Sequence, residues 1–166
     1  MDIKGIIKSQ YRASLAMLEE AITRCPETLW DDPEDRFHFW HTAYHALFFT
    51  HLYLRENEAA FVPWSKHRAN QQFFESIPWV PGQVLKIGEP YSQAELLEYL
   101  AICRHDVEVN TTSVDLDAAS GFDWLLINKL ELQFYNIRHL QYHTGQLDDL
   151  LRNKADISIG WIGEMK

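Results

Sequence analysis

The chain has only two cysteines, Cys25 and Cys103, which form neither a Cys-x-x-Cys motif nor a disulfide framework. Packing must hold the fold together, and such usage fits a reducing cytoplasm. Cations are scarce as well, with 15 Lys and Arg against 24 Asp and Glu and a net charge of −9. A surface of that sign repels phosphate backbones, so broad nucleic-acid binding is excluded. No apolar run approaches the roughly eighteen residues of a membrane span. The N-terminal Met-Asp-Ile-Lys-Gly-Ile-Ile-Lys scatters charges where a secretory signal needs an unbroken apolar core. These absences predict a soluble, cytoplasmic protein with neither nucleic acid nor membrane as partner. Apolar and aromatic side chains are plentiful, 46% and 13% of the residues, which describes a packed globule and not a disordered chain. The length predicts a single domain over residues 1–166, large enough to bury a real core.

Ile3, Ile7, Tyr11, Leu15, Leu18 and Ile22 recur at helical spacing, and Cys25-Pro26 closes this first helix where proline breaks it. Asp31-Asp32-Pro33-Glu34-Asp35 reads as the start of a second, with an Asp cap, proline in the first turn and acids at the positive end of the dipole. That helix is predicted to reach about Glu56. Phe37, Trp40, Tyr44, Leu47, Phe48, Leu52 and Tyr53 make it apolar around most of its circumference, and therefore central. Residues 57–90 hold four of the six prolines and keep no period, which describes a long crossover with a short helix over Asn70–Ser76. Trp64 and Trp79 in that segment either lid a pocket or pack the crossover down.

Ser92-Gln-Ala-Glu95 is a capping box that opens a third helix, with the stripe Leu96, Leu100, Cys103 and Val107, fading at Asn110-Thr-Thr-Ser. Ser120-Gly-Phe-Asp123 is read as the start of a fourth, which runs to about Arg152; the tail with Trp161 stays unassigned. Four amphipathic helices and no sheet predict an all-α four-helix bundle, and the crossover lets the second and third helices run parallel.

Histidine carries the chemistry. His139 and His143 are four residues apart, so they stack on one face of the last helix, and Gln146 extends the same face. His41 and His45 repeat the spacing on the second helix, with His38 near the same face; His51 points the opposite way and is expected at a surface or interface. Eight histidines placed at random over 166 positions give roughly 0.4 His-x-x-x-His pairs, the false-positive risk of any short motif. Two occur. The residues alone allow ligation or ordinary hydrogen bonding for each pair, with the working expectation that both stretches meet around one metal ion. His67 and His105 read as ordinary structural histidines. Three imidazoles and an open fourth position describe a catalytic zinc site, and nickel accepts the same donors. The Glu-x-x-His motifs of a di-iron carboxylate bundle are missing. So is the Glu that follows the first His in a His-Glu-x-x-His zinc protease.

His139, His143, Gly145, Gln146 and Leu147 together resemble the His-x-x-x-His-x-x-Gln motif on the last helix of the DinB/YfiT-like family, and the order of helices with its crossover is similar over nearly the whole chain. The family's third ligand is a single histidine on the second helix, preceded by an aromatic. Trp40-His-Thr-Ala-Tyr-His45 looks like that segment, which makes His45 the best match and His41, a turn away, its rival; the extra His38 and His41 depart from the pattern. The resemblance implies a bundle, often a homodimer, with a divalent metal on His45, His139 and His143. It also implies a small-molecule substrate and a reaction that uses a low-molecular-weight thiol, S-transfer foremost, with hydrolysis as the variant. A non-catalytic metal-binding or stress-associated protein is the alternative. Gln146 and His41 are candidates for supporting the ligands. Tyr135 is a candidate for the pocket wall, and Arg138 is either a partner for an anionic thiol or a solvated surface residue.

Overall fold

The computed structural model describes residues 1–165 and is all-α, with five helices and no strand among the described residues. The first helix, α1 (Ile3–Arg24), is capped by Asp2, whose carboxylate accepts from the Gly5 N–H. Its stripe of Ile7, Tyr11, Leu15, Leu18 and Ile22 is completely or almost completely buried. A single turn, α2 (Glu27–Trp30), follows Pro26.

The second long helix, α3 (Phe39–Tyr53), starts later than the acidic run suggests and stops short of Glu56. The acids that look like caps have stronger tertiary partners. Asp31 accepts from the Trp40 indole at 2.7 Å, and Asp32 and Asp35 receive Lys154 at 2.9 and 2.6 Å. As a result the chain through 31–37 is turns, and His38, which lacks a capping bond of its own, precedes the helix. Within α3 only His45 and Phe49 keep partial exposure; every other residue is buried. These two are one turn apart on one face, so the helix has a single stripe open to anything outside the core.

The crossover contains a 3-10 turn at Glu58–Ala60 and otherwise loops and turns. The short helix expected over Asn70–Ser76 is absent, because Asn70 takes a left-handed conformation (φ 66°) that no helix continues. The next helix, α4 (Gln93–Ser113), opens on the capping box of Ser92 and Glu95. It runs through Asn110-Thr-Thr-Ser, whose side chains fold back onto helix carbonyls, Asn110 onto Asp106 and Thr112 onto Glu108.

The last helix, α5 (Lys129–Ala155), begins not at Ser120 but behind Asn128, which caps the Glu131 N–H at 2.9 Å. The Ser120 hydroxyl serves a turn instead, donating to Leu125 O and accepting from Phe122 N. Gly121 next to it has φ 83°, and a Cβ there would meet Glu56 O at 2.1 Å, so only glycine fits.

Pairs of residues that advance together along two helices give the directions. Tyr44 with Tyr99, Leu47 with Cys103 and Arg55 with Asp106 make α3 and α4 parallel. Arg12 with Glu108 and Glu19 with Arg104 make α1 and α4 antiparallel. His45 with His139 and Thr50 with Asn136 make α3 and α5 antiparallel. At one end of that last pair, Lys129 Nζ donates to the carbonyls of Arg55 and Glu56 at 2.9 and 2.7 Å, which ties the start of α5 to the turn that follows α3. No described helix is long and apolar enough to cross a membrane.

Candidate metal centre

The antiparallel contact of α3 and α5 brings three histidines to one point. His45 comes from the partly exposed stripe of α3, and His139 and His143 from successive turns of α5. Nε2 of His139 lies 3.1 Å from Nε2 of His45 and 3.2 Å from Nε2 of His143. One nitrogen from each ring falls within 4.8 Å of the others, and no further His, Cys, Asp or Glu of the described residues joins the group.

The opposite face of each ring decides what these nitrogens are. His143 Nδ1 lies 2.8 Å from the Gln146 amide oxygen, and His45 Nδ1 lies 2.6 Å from the backbone carbonyl of Gln72. An oxygen can only accept, so in the neutral rings both Nδ1 atoms carry the proton and both Nε2 atoms face inward as lone pairs. His139 Nε2 can give a proton to one of them at most, and its own Nδ1 is buried without a partner. An inward set of acceptors with too few protons is electrostatically unfavourable unless a cation joins it.

Two of the three spacings fit one. Two nitrogens at Zn–N distances of about 2.0–2.1 Å in tetrahedral geometry are about 3.3–3.4 Å apart, close to the 3.1 and 3.2 Å seen here. The carbonyl and amide behind the rings are the partners that ligand histidines take.

Protonation does not supply the missing cation. Burial lowers the pKa of all three rings. His139 falls to about 4, through burial first and the charge of His143 second. His45 is pushed well below its usual value by burial, then by His143 and His139. His143 is lowered by burial, against the pull of Gln146. Near neutral pH the three rings are therefore neutral donors.

Aromatic rings close around them. Phe74 stacks on His45 with centroids 4.2 Å apart, Phe49 meets His139 edge-on at 5.5 Å, and Tyr142 meets His143 edge-on at 5.1 Å. Phe49 and Phe74, themselves half-buried, shield part of the rings from water and strengthen any charge interaction beside them.

The other histidines go elsewhere. His41 Nε2 is taken by Gln71 O at 2.7 Å, so His41 stands outside the group. His38 sits against Asp31. The Tyr44 hydroxyl bonds His67 at 2.6 Å, and His105 is exposed. His51 corrects the surface expectation: it is 2% exposed, between Tyr99 and Asp106. Of the two tryptophans of the crossover, Trp64 is packed down on Tyr99 far from the histidines, whereas Trp79 is exposed and touches Phe73, which touches Phe49. Tyr135 packs edge-on against Tyr53, and exposed Arg138 lies over the Tyr135 ring. A cavity of about 540 Å³ lies apart from the centre, bordered by Arg55, Thr111 and Lys129. Its cations are already held, Arg55 by Asp106 and Lys129 by the carbonyls of Arg55 and Glu56, and none of the three histidines lines it.

Sequence reasoning missed Gln72 and Phe74. A backbone carbonyl leaves no mark in a sequence, and an aromatic in an aperiodic segment has no period to betray its side. No family model, no curated protein and no solved structure matches the chain.

Proposed function

We propose that the chain is a divalent-metal-dependent enzyme of the DinB/YfiT type, a four-helix bundle whose long crossover joins its second and third long helices. Its reaction on this reading is transfer of a low-molecular-weight thiol to a small electrophilic substrate, with hydrolysis as the variant. The observation that supports it most is the convergence of three Nε2 atoms, two of them fixed as lone pairs by oxygens behind the rings. His45, His139 and His143 would hold zinc or nickel, both of which accept imidazole. A divalent ion held there lowers the pKa of a thiol or a water in its open position and so supplies a nucleophile at neutral pH.

The chain's own part is to fix the rings and shield them in part. Gln146 and the Gln72 carbonyl hold the tautomers of His143 and His45. Phe49 and Phe74 shield one side of the rings, and the partly exposed side of His45 and Phe49 leaves an approach for a small molecule. A homodimer in the cytoplasm, without nucleic acid or membrane as partner, belongs to the same reading.

The enclosing rings favour a second reading, a non-catalytic metal-binding protein, if they leave no room for a ligand. One titration separates the two. Metal-free protein titrated with Co2+ is expected to show visible ligand-field bands that saturate stoichiometrically. Added 2-mercaptoethanol should then bring in a sulfur-to-cobalt charge-transfer band. Bands that ignore the thiol would favour the non-catalytic reading. His139→Ala should weaken Co2+ and Zn2+ by more than about 100-fold, beyond the range for losing only a partner of a ligand. Unchanged affinity in that variant would remove the metal centre altogether.

A further inference from the structure

His41 and His45 are one turn apart on the same face of α3, and two successive carbonyls of the crossover meet them. Gln71 O takes Nε2 of His41 at 2.7 Å, and Gln72 O takes Nδ1 of His45 at 2.6 Å. Successive carbonyls of an extended strand point to opposite sides, so both can face one helix only where the backbone curls. It does so here: Gln71 N bonds to Arg68 O at 3.1 Å and Phe73 N to Asn70 O at 3.2 Å, around left-handed Asn70.

The curl is held from behind by the Gln71 side chain. Its amide nitrogen donates to Lys86 O at 3.0 Å, and its amide oxygen accepts from Gly88 N at 2.8 Å, so both ends tie residue 71 to the returning leg of the crossover. His41 is completely buried and Gln71 is 7% exposed, so water cannot replace either bond.

We propose that His41 and Gln71 are positioning residues that aim the Gln72 carbonyl at His45 and thereby set its tautomer. This rests on the metal-centre reading above. His41 pins one carbonyl of the pair from the α3 side, the Gln71 amide pins the same residue from the crossover side, and the next carbonyl has one direction left. With either pin removed, the Gln72 carbonyl swings free. His45 can then carry its proton on Nε2, which points an N–H where a lone pair is needed.

Two measurements test this. In metal-free protein, long-range 1H–15N NMR of the imidazoles is expected to show His45 as the Nδ1–H form. Gln71→Ala and His41→Phe should each convert a substantial share of it to the Nε2–H form. His41→Gln should restore the wild-type pattern, since its amide N–H can reach the same carbonyl. In parallel, Zn2+ affinity read by competition with a chelator should fall about 10–100-fold in Gln71→Ala and His41→Phe, the usual cost of losing a partner behind a ligand, and stay within about threefold in His41→Gln. Tyr91→Phe is the control for a merely loosened crossover. It removes the bond from Tyr91 to Lys66 O, keeps the ring on which Arg68 lies, and should leave both readouts unchanged.

Far-UV circular dichroism checks folding; if His41→Phe does not fold, Gln71→Ala, outside every helix, decides. An unchanged His45 tautomer in Gln71→Ala overturns the proposal, as does an equal loss of affinity in Tyr91→Phe. Wild-type protein that binds no Zn2+ overturns the metal centre, and the tautomer then decides the positioning role by itself.

Discussion

His45 and His51 sit on different sides of α3, the first half-buried and the second buried, and their surroundings differ in kind. Each nitrogen of His51 meets a polar partner: Tyr99 Oη lies 3.1 Å from Nδ1, and Nε2 has the Arg55 guanidinium at 2.6 Å and the Asp106 carboxylate at 3.1 Å. Arg55 pairs with the same carboxylate. His45 is matched on one side only, by the Gln72 carbonyl, while its other nitrogen faces two imidazoles. His51, which serves the fold, has a partner at both nitrogens. An imidazole that serves a site keeps a nitrogen among atoms of its own kind, at a cost in stability that a third body must offset.

The largest expected effect breaks the satisfied side. Asp106→Ala leaves buried His51 and half-buried Arg55 without their shared carboxylate and should cost about 3–5 kcal/mol, a fall in melting temperature of roughly 10 °C for a chain of this size. Zn2+ affinity should stay unchanged. If calorimetry of the variant shows a full-strength fold, or if the metal is lost with it, the two clusters are not independent in the way described.

Acid probes the unsatisfied side. The folded pKa of His139 is depressed to about 4 from the 6.5 of the unfolded chain. The unfolded state therefore binds protons first as the pH falls. The neutral ring's contribution is complete above about pH 6.5, is lost progressively toward pH 4, and amounts to about 3 kcal/mol at most for this residue. Denaturant titrations of metal-free protein between pH 7 and 4 should show that decline, and His139→Ala should flatten it. A wild-type curve with no slope would contradict the neutral cluster.

The smallest effect concerns Gln146. Its side chain is exposed, so water can partly take over the bond to His143 Nδ1, and Gln146→Ala should weaken Zn2+ by only about tenfold, the low end for such partners. A loss as large as that of a ligand would mean that Gln146 touches the ion itself.

The spacing of His139, His143 and Gln146 was legible because helical geometry alone puts four-apart and three-apart residues on one face, and the capping box at Ser92 was legible because both its members are local. The starts of α3 and α5 were not. Asp31, Asp32, Asp35 and Ser120 are residue types that cap helices, pair with lysines or build turns equally well, and only tertiary partners choose among these. His51 was misplaced because a helix with one polar stripe suggests a wet side opposite, whereas α3 has none. His41 and His45 look alike in sequence. They differ in which backbone oxygen of an aperiodic segment comes to meet them.

The clasp of Lys129 on the carbonyls of Arg55 and Glu56, just past α3, also acts as a common origin of measurement. From Arg55 back to His45 is ten residues, and from Lys129 on to His139 is ten as well. At 1.5 Å per residue the helical part of each arm, His45 to Tyr53 and Lys129 to His139, spans about 12 and about 15 Å. A residue inserted into either arm would shift one ring by about 1.5 Å and swing it through about 100°, whereas one added to both arms would keep the rings level and swing each off the shared face.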